Sequence, residues 1–138
     1  MIKKIFTIIL FTSIVISAGW QKLNSNTAEW LTDVFFLNEL TGFAVGYNGT
    51  ILKTTDGGNN WALTQIGNGE ALLSVFFVNN NKGFAVGTNH ILGSTEDGGT
   101  TWTYKYLSAE VNFNEIYFVD EMHGWIAAGA IHYDDKIF

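Results

Sequence analysis

Cysteine, proline and arginine are all absent from this chain of 138 residues, and lysine carries its whole basic charge. Without cysteine no disulfide can form, so packing and backbone pairing must hold the fold together. Two of the seven lysines lie in the first four residues, and the remainder of the chain carries about −8 against its 13 acidic residues. Such a balance argues against nucleic acid or an anionic membrane surface as a partner. Fifteen glycines, no proline and 15% aromatic residues are typical of short strands joined by tight turns.

The N-terminus resembles a secretory signal peptide. Met1 to Lys4 is a short basic start, residues 5–17 are almost wholly apolar, and Ala18 is a small residue at a plausible cleavage point. The apolar stretch is shorter than the roughly 20 residues that a bilayer requires, so an uncleaved membrane anchor is the weaker alternative. We therefore expect residues 1–18 to be removed, the protein to be exported without stable membrane insertion, and residues 19–138 to form the folded part.

A repeat of 41 residues organises the rest of the chain. The segment 54–61 returns at 95–102, and laying 34–61 on 75–102 without a gap gives 15 identities in 28 positions. Gly42, Gly83 and Gly124 keep the same step, which predicts repeats at about 20–60, 61–101 and 102–138. A repeat of this length indicates a solenoid, a propeller or an array.

Each unit contains four short runs with strand character. In the first unit these are 31–37, 42–47, 51–55 and 61–66, and in the second 72–78, 83–88, 91–95 and 102–107. Four strands in about 41 residues predict an all-β propeller blade, with a β-sandwich or β-solenoid as the alternative. Asn48-Gly49 predicts a two-residue hairpin turn rather than a glycosylation site. Ile91-Leu92 lies 40 residues after Ile51-Leu52, which predicts a bulge or a one-residue slip in the third strand of the second unit.

The repeated Asp-Gly-Gly segment predicts a tight turn between the third and fourth strands. Asp tends to bond the backbone two residues on, and glycine tolerates a positive φ. We expect Asp56 and Asp97 to accept backbone hydrogen bonds and to bind no metal. Trp61 and Trp102 follow these turns and are expected to be buried beneath them.

These turns, the Gly-Phe-Ala-Val-Gly strand and the 41-residue period resemble the Asp-box (BNR-type) propellers, above all the photosystem II stability and assembly factor-like family common among exported bacterial proteins. The motif of that family is met at two sets of positions: Thr54, Asp56, Gly58 and Trp61, and Thr95, Asp97, Gly99 and Trp102. The resemblance implies a β-propeller in which the box is structural and lies away from the ligand face. It implies no catalytic residue, no cofactor and no metal.

Enzymatic chemistry has few candidate residues here. The absence of arginine excludes a sialidase built from these residues, because the substrate carboxylate is clamped by arginines. A glycosidase pair could be sought among the carboxylates Asp33, Asp120, Glu121, Asp134 and Asp135. Asp33 is expected on a solvated strand position, since the next units carry Ser74 and Glu115 there. The groups 120–123 and 132–135 are expected to be solvated turns rather than metal sites.

The preferred function is therefore an exported, non-enzymatic scaffold with a protein partner. Tyr47, Tyr104, Tyr106 and Tyr133 do not recur between units, which leaves them free for a binding face at the loop ends. The alternative is a carbohydrate-active or glycan-binding propeller whose catalytic residues lie outside this sequence. We also expect an incomplete piece of a longer protein, because about three repeats are present whereas propellers close with 4 to 8 blades.

Overall fold

The computed structural model describes residues 23–108 and 110–129, which form three antiparallel sheets in chain order. The first sheet contains β1 (Leu31–Phe36), β2 (Gly42–Gly46), β3 (Thr50–Thr54) and β4 (Ala62–Gln65). The second contains β5 (Leu72–Phe77), β6 (Gly83–Gly87), β7 (Ile91–Thr95) and β8 (Thr103–Tyr106), and the third contains β9 (Asn112–Phe118) and β10 (Gly124–Gly129). In both larger sheets the spatial order follows the chain, so hairpins connect all neighbouring strands. This is the up-and-down blade that the repeat predicted, present twice with four strands and a third time with two.

The repeated Gly-Phe-Ala-Val-Gly segments form β2 and β6, the second strand of each four-stranded blade. Both strands are paired on each side and are almost wholly buried, which is why they are apolar throughout rather than alternating. The glycine that ends each strand is needed for close approach. A Cβ at Gly46 would collide with the backbone oxygen of Trp30, and one at Gly87 with that of Ala71.

The predicted hairpin turn at Asn48-Gly49 is present. Both residues have positive φ, 56° and 63°, as a type I′ turn requires. The second unit has Asn89 and His90 at the corresponding positions, also with positive φ, inside the 3₁₀ turn Thr88–His90. Among residues 23–108 and 110–129 this turn is the only helical segment, and no helix there could cross a membrane.

Neighbouring blades pack face to face through aromatic pairs that recur, and one of these pairs is a near-parallel stack. Phe43 stacks on Phe77, with ring centroids 3.9 Å apart and planes inclined by 17°. At the next junction Phe84 stacks on Phe118 at 5.0 Å and 16°. These four residues occupy two positions of the 41-residue repeat, so both blade junctions are built in the same way.

A hydrogen bond between blades also recurs. The Asp33 carboxylate accepts from the backbone N–H of Val75 at 2.9 Å, and Ser74 Oγ accepts from that of Ile116 at 3.3 Å. Val75 and Ile116 lie on β5 and β9, strands that are paired along one edge only and so have backbone groups left to satisfy. The expectation of a solvated position is therefore wrong: Asp33 is half-buried and Ser74 is buried.

The predicted slip in the third strand of the second unit is also wrong. β7 pairs with β6 and β8 without a shift, and Leu92 takes the place of Ile51 opposite the second-strand valine. Ile91 therefore corresponds to Thr50, and both side chains are buried. The irregularities lie instead in the first strands, between Leu31 and Asp33 and between Leu72 and Ser74.

Each of the two outer blade faces exposes one aromatic residue at a repeat position that forms the stack between neighbouring blades. On the first blade Phe36, at the repeat position of Phe77, is 44% exposed. On the third, Trp125 stands at the position of Phe43 and is 60% exposed. Trp20 lies one repeat before Trp61, which predicts an outermost blade strand from Trp20 to Leu23, and of these residues only Leu23 belongs to the described part of the chain. Residues 130–138, with Tyr133, Asp134 and Asp135, lie outside that part as well.

Candidate functional site

The first Asp turn, residues 54–61, is closed by a network centred on Thr54 and Asp56. Thr54 Oγ1 donates to Asp56 Oδ1 at 2.9 Å and accepts from the backbone N–H of Gly58 at 2.9 Å. The Asp56 carboxylate accepts from the backbone N–H of Asn60 at 2.9 Å and from its side-chain amide at 2.8 Å. The Asn60 side chain, followed by its backbone N–H, holds the pKa of Asp56 below its ordinary value.

The second Asp turn, residues 95–102, repeats this network. Thr95 Oγ1 donates to Asp97 Oδ1 at 2.8 Å and accepts from the backbone N–H of Gly99 at 2.9 Å. Thr101 donates to the same carboxylate through its hydroxyl at 2.6 Å and through its backbone N–H at 2.9 Å. These two bonds, with the hydroxyl bond first, lower the pKa of Asp97 to about 2. Both carboxylates are therefore occupied by their own turns.

The two tryptophans that follow the turns are half-buried, so the expectation of full burial is wrong. Each precedes β4 or β8, the outermost strand of its sheet, where a side chain has neighbours on one side only. Trp61 lies against Gly58 of its own turn and meets Phe36 edge to face at 6.3 Å. Trp102 meets Phe77 of its own blade edge to face at 5.9 Å, and it packs against the hydrophobic cluster between the first two blades.

Both Asp turns lie at one end of the blades, together with the turns between first and second strands. Gly57 N–H donates to Leu40 O at 2.9 Å, and Gly98 N–H donates to Asn81 O at 2.8 Å. The group 120–123 is the corresponding turn of the third blade. There Asp120 accepts from two backbone N–H groups at 2.8 Å and pairs with His123. No cluster of three potential metal ligands occurs in the part of the chain that the structure describes.

The opposite end of the blades is formed by the connections between blades and by the turns between second and third strands. We call it the linker face and define it as residues 26–30, 47–49, 66–71, 88–90 and 107–111, with residue 109 undescribed. Backbone hydrogen bonds join these segments, for example Tyr47 N–H to Trp30 O at 2.9 Å and Ile66 N–H to Gly49 O at 3.0 Å. The Asp turns and the linker face therefore lie at opposite ends of the blades.

An exposed aromatic pair stands on the linker face. Trp30 is 74% exposed and Tyr47 is 44% exposed, and their ring centroids are 5.8 Å apart with planes inclined by 40°. Together with Ala28 and Glu29 they line a shallow hollow of about 290 Å³. Of the other non-recurring tyrosines, Tyr106 ends β8 close to this face, whereas Tyr104 lies within that strand. Sequence reasoning singled out Tyr47 but missed Trp30 and Glu29.

The second unit carries a hydrogen-bond network on the same face. The Glu70 carboxylate accepts from the backbone N–H of Asn68 at 2.7 Å, from the Tyr106 hydroxyl at 3.0 Å and from the Asn89 amide at 3.4 Å. The Asn68 N–H is the main cause that holds the pKa of Glu70 below its ordinary value. This carboxylate is therefore engaged within its own blade.

A larger hollow, of about 510 Å³, lies on the outer face of the first blade. It is lined mainly by apolar side chains, among them Leu23, Leu31, Val34 and Trp61. The equivalent face of the second blade packs on the first blade, because Trp102, at the repeat position of Trp61, packs against the cluster between these two blades. The hollow therefore has the residues of a blade-packing surface.

Comparison with known proteins places this geometry in a wider group. A family model described as photosynthesis system II assembly factor YCF48 matches residues 12–72 and again 60–131. A solved structure of YCF48 bound to D1 peptide is similar, with a TM-score of 0.65 and 27% identity, over 72% of this chain and 34% of that one. YCF48 from Cyanidioschyzon merolae has a TM-score of 0.61 and 19% identity, over 74% of this chain and 36% of that one. The chain thus spans about a third of the length of these structures, and no curated protein matches it.

Proposed function

Because the chain belongs to the family of the photosynthesis system II assembly factor YCF48, we propose that it is an exported, non-enzymatic scaffold that binds a segment of another protein on the linker face. One relative of this fold has been solved with a peptide bound, which supports a polypeptide partner. The photosystem itself does not follow from the residues, so the proposed partner is defined by its chemistry.

The Trp30–Tyr47 pair is the observation that carries this proposal. The second unit has Ala71 and Thr88 at the same repeat positions, and it keeps the same backbone bond, Thr88 N–H to Ala71 O, at 2.9 Å. Its blade is complete without any aromatic ring there. The two rings of the first unit are therefore not required to build a blade. Exposed aromatic side chains beyond the needs of the fold are characteristic of binding surfaces.

The placement of the carboxylates supports a non-enzymatic role. A glycosidase requires two carboxyl groups that face each other across an open cleft, about 5–10 Å apart. Asp33 instead joins two blades, while Asp56, Asp97 and Asp120 are held by their own turns. We also propose that the residues of the two Asp turns have a structural role, because their polar groups are used within the turn.

Export is proposed from the predicted signal peptide at residues 1–18. An exported chain without cysteine must rely on its backbone pairing and on the blade junctions for stability. Expression of the full-length gene with a C-terminal tag, followed by mass determination of the exported protein, tests this part. A product that begins near residue 19 is expected, and a product retained in the cytoplasm at full mass would contradict it.

Binding is tested by panning a random 12-residue phage library on the full chain and measuring the selected peptides by fluorescence anisotropy. The key variant is Trp30→Ala/Tyr47→Thr, which installs the side chains of the second unit, where Thr88 Oγ1 accepts from Ala71 N–H at 3.0 Å. We expect at least about tenfold weaker peptide binding with an unchanged circular dichroism spectrum. Tyr104→Ser is the matched control, since Tyr104 is as exposed as Tyr47 but lies outside the linker face.

The outcomes separate the two candidate functions. Selected peptides that bind the double variant as tightly as the unchanged chain would refute the linker face as the binding surface. Failure to select any peptide, together with binding or turnover of oligosaccharides by the full chain, would favour the carbohydrate alternative.

A further inference from the structure

Resting on the proposed function, we propose that the hollow lined by Glu29, Trp30 and Tyr47 receives a lysine or arginine side chain from a basic segment of the partner protein. The two rings meet at an angle of 40° with their centroids 5.8 Å apart, and both are exposed beside the hollow, so a guest in the hollow contacts aromatic surface. A cation held within about 6 Å of a Trp or Tyr face is attracted by the ring quadrupole, and Trp is the best of the aromatic residues for this purpose.

The repeat provides an internal comparison for the carboxylate. Glu29 and Glu70 occupy the same position in successive units. Glu70 is held by Asn68, Tyr106 and Asn89. Both glutamates adjoin the turn between the second and third strands of their own blade, yet the donors around them differ.

In the first unit the residues at the positions of Asn68 and Tyr106 are replaced, and the new side chains make other contacts. Thr27 stands in place of Asn68, and its hydroxyl accepts from the backbone N–H of Glu29 at 3.1 Å. Gln65 stands in place of Tyr106 and donates to the backbone oxygen of Asn48 at 3.1 Å. No residue within the described ranges donates to the Glu29 carboxylate. It therefore stands beside the aromatic pair with its oxygens available to a charged donor.

The charge of the linker face favours a basic guest. Its described acidic residues are Glu29, Glu70 and Glu110, and none of the described lysines belongs to it. Two of those lysines contact other groups: Lys53 lies over the ring of Phe43, and Lys82 pairs with Glu96 at 3.9 Å. A positively charged segment would be steered toward this face and would find a compensating carboxylate there. A neutral or acidic segment would gain neither the electrostatic steering nor the ion pair with the carboxylate.

The experiment extends the panning described above. Selected peptides are expected to contain lysine or arginine more often than the unselected library does. One such peptide is then resynthesised with its basic residue replaced by glutamine. We expect the glutamine peptide to bind the unchanged chain about three- to tenfold more weakly, and the original peptide to bind Glu29→Gln more weakly by a similar factor. When both changes are combined, the loss of affinity should be smaller than the product of the two separate losses. Glu110→Gln is the matched control, because it removes one charge from the same face away from the hollow.

Each result bears on one proposal. Equal losses from Glu29→Gln and Glu110→Gln would reduce the effect to general charge and overturn the specific site. Selected peptides without basic enrichment, whose binding still depends on Trp30, would overturn the cation site and leave the proposed function intact. Displacement of a bound peptide by cellohexaose at millimolar concentration would show that the two rings bind a sugar, and this would also overturn the cation site.

Discussion

Truncation of one phenylalanine in each of two equivalent positions tests whether the aromatic junction holds the blades together. Phe77 is 3% exposed, stacks on Phe43 at 3.9 Å and meets Trp102 edge to face. Phe36 is the same residue at the same repeat position but is 44% exposed. The substitutions Phe77→Ala and Phe36→Ala therefore differ in the packing that they remove rather than in chemistry.

The expected magnitudes follow from this burial. Phe77→Ala removes a fully packed ring and leaves a cavity between two blades, which costs about 3–5 kcal/mol in the free energy of unfolding. Full burial of a phenylalanine stabilises by about 1.5–3 kcal/mol, and Phe36 has lost only about half of its exposure. Phe36→Ala should therefore cost about 1–1.5 kcal/mol. The difference of about 1.5–4 kcal/mol is a large share of the stability of a small domain.

Urea unfolding followed by tryptophan fluorescence measures this difference. With a slope of about 1–3 kcal/mol per molar urea, the two midpoints should be separated by roughly 1 M. The measurement is repeated at several protein concentrations, because the exposed outer blade faces could bind a second chain. Equal midpoints for the two variants at every concentration would refute the view that Phe77 stabilises the junction between the first two blades.

Three further predictions concern the turns and the junctions. Gly99→Ala should lower the free energy of unfolding by about 1–3 kcal/mol in the same urea assay, because Gly99 has φ 75° and an added Cβ would lie 2.5 Å from a ring carbon of Phe43. An unchanged free energy of unfolding would contradict that close approach. The lowered pKa of Asp97 contributes stability that is complete above about pH 4 and is lost as the pH falls toward 2. Thermal melts between about pH 2 and 5 should therefore show a smaller loss of stability in acid for Asp97→Asn than for the unchanged chain, and identical pH profiles would contradict this. Asp33→Ala should leave the Val75 N–H without its acceptor, cost about 1–3 kcal/mol and speed hydrogen exchange at that amide, whereas unaltered exchange would show that the bond is not made in solution.

Much of the fold could be predicted because the same pattern of strands and turns occurs in successive units of the 41-residue repeat. The strand positions, the Asn48-Gly49 turn and the propeller blades are confirmed by the structure, and the family resemblance is confirmed by the family model. The predicted slip at Ile91 is wrong because the third strands keep one register, in which Thr54 and Thr95 hold the constant spacing of 41 residues. Ile91 fills the place of Thr50, and both residues are β-branched and fully buried.

Features that depend on a neighbouring blade could not be predicted from one unit. Asp33 and Ser74 share a role as acceptors from the next blade, yet they differ in charge and size. A position that varies in this way looks solvated in the sequence. The role of Trp30 could not be predicted either, because only the structure shows that its ring is 74% exposed and that Ala71 makes the same backbone contact without a ring.

The recurring bond and the recurring aromatic stack both connect each blade only to the next one along the chain. The free energy of unfolding of such an array is approximately the sum of the stabilities of the single blades and of the interfaces between neighbouring blades. Of the three described sheets, the second alone has a sheet on each side. Among these three sheets the second should therefore be the last to open. Amides of β6 and β7 should consequently be the last to exchange with solvent.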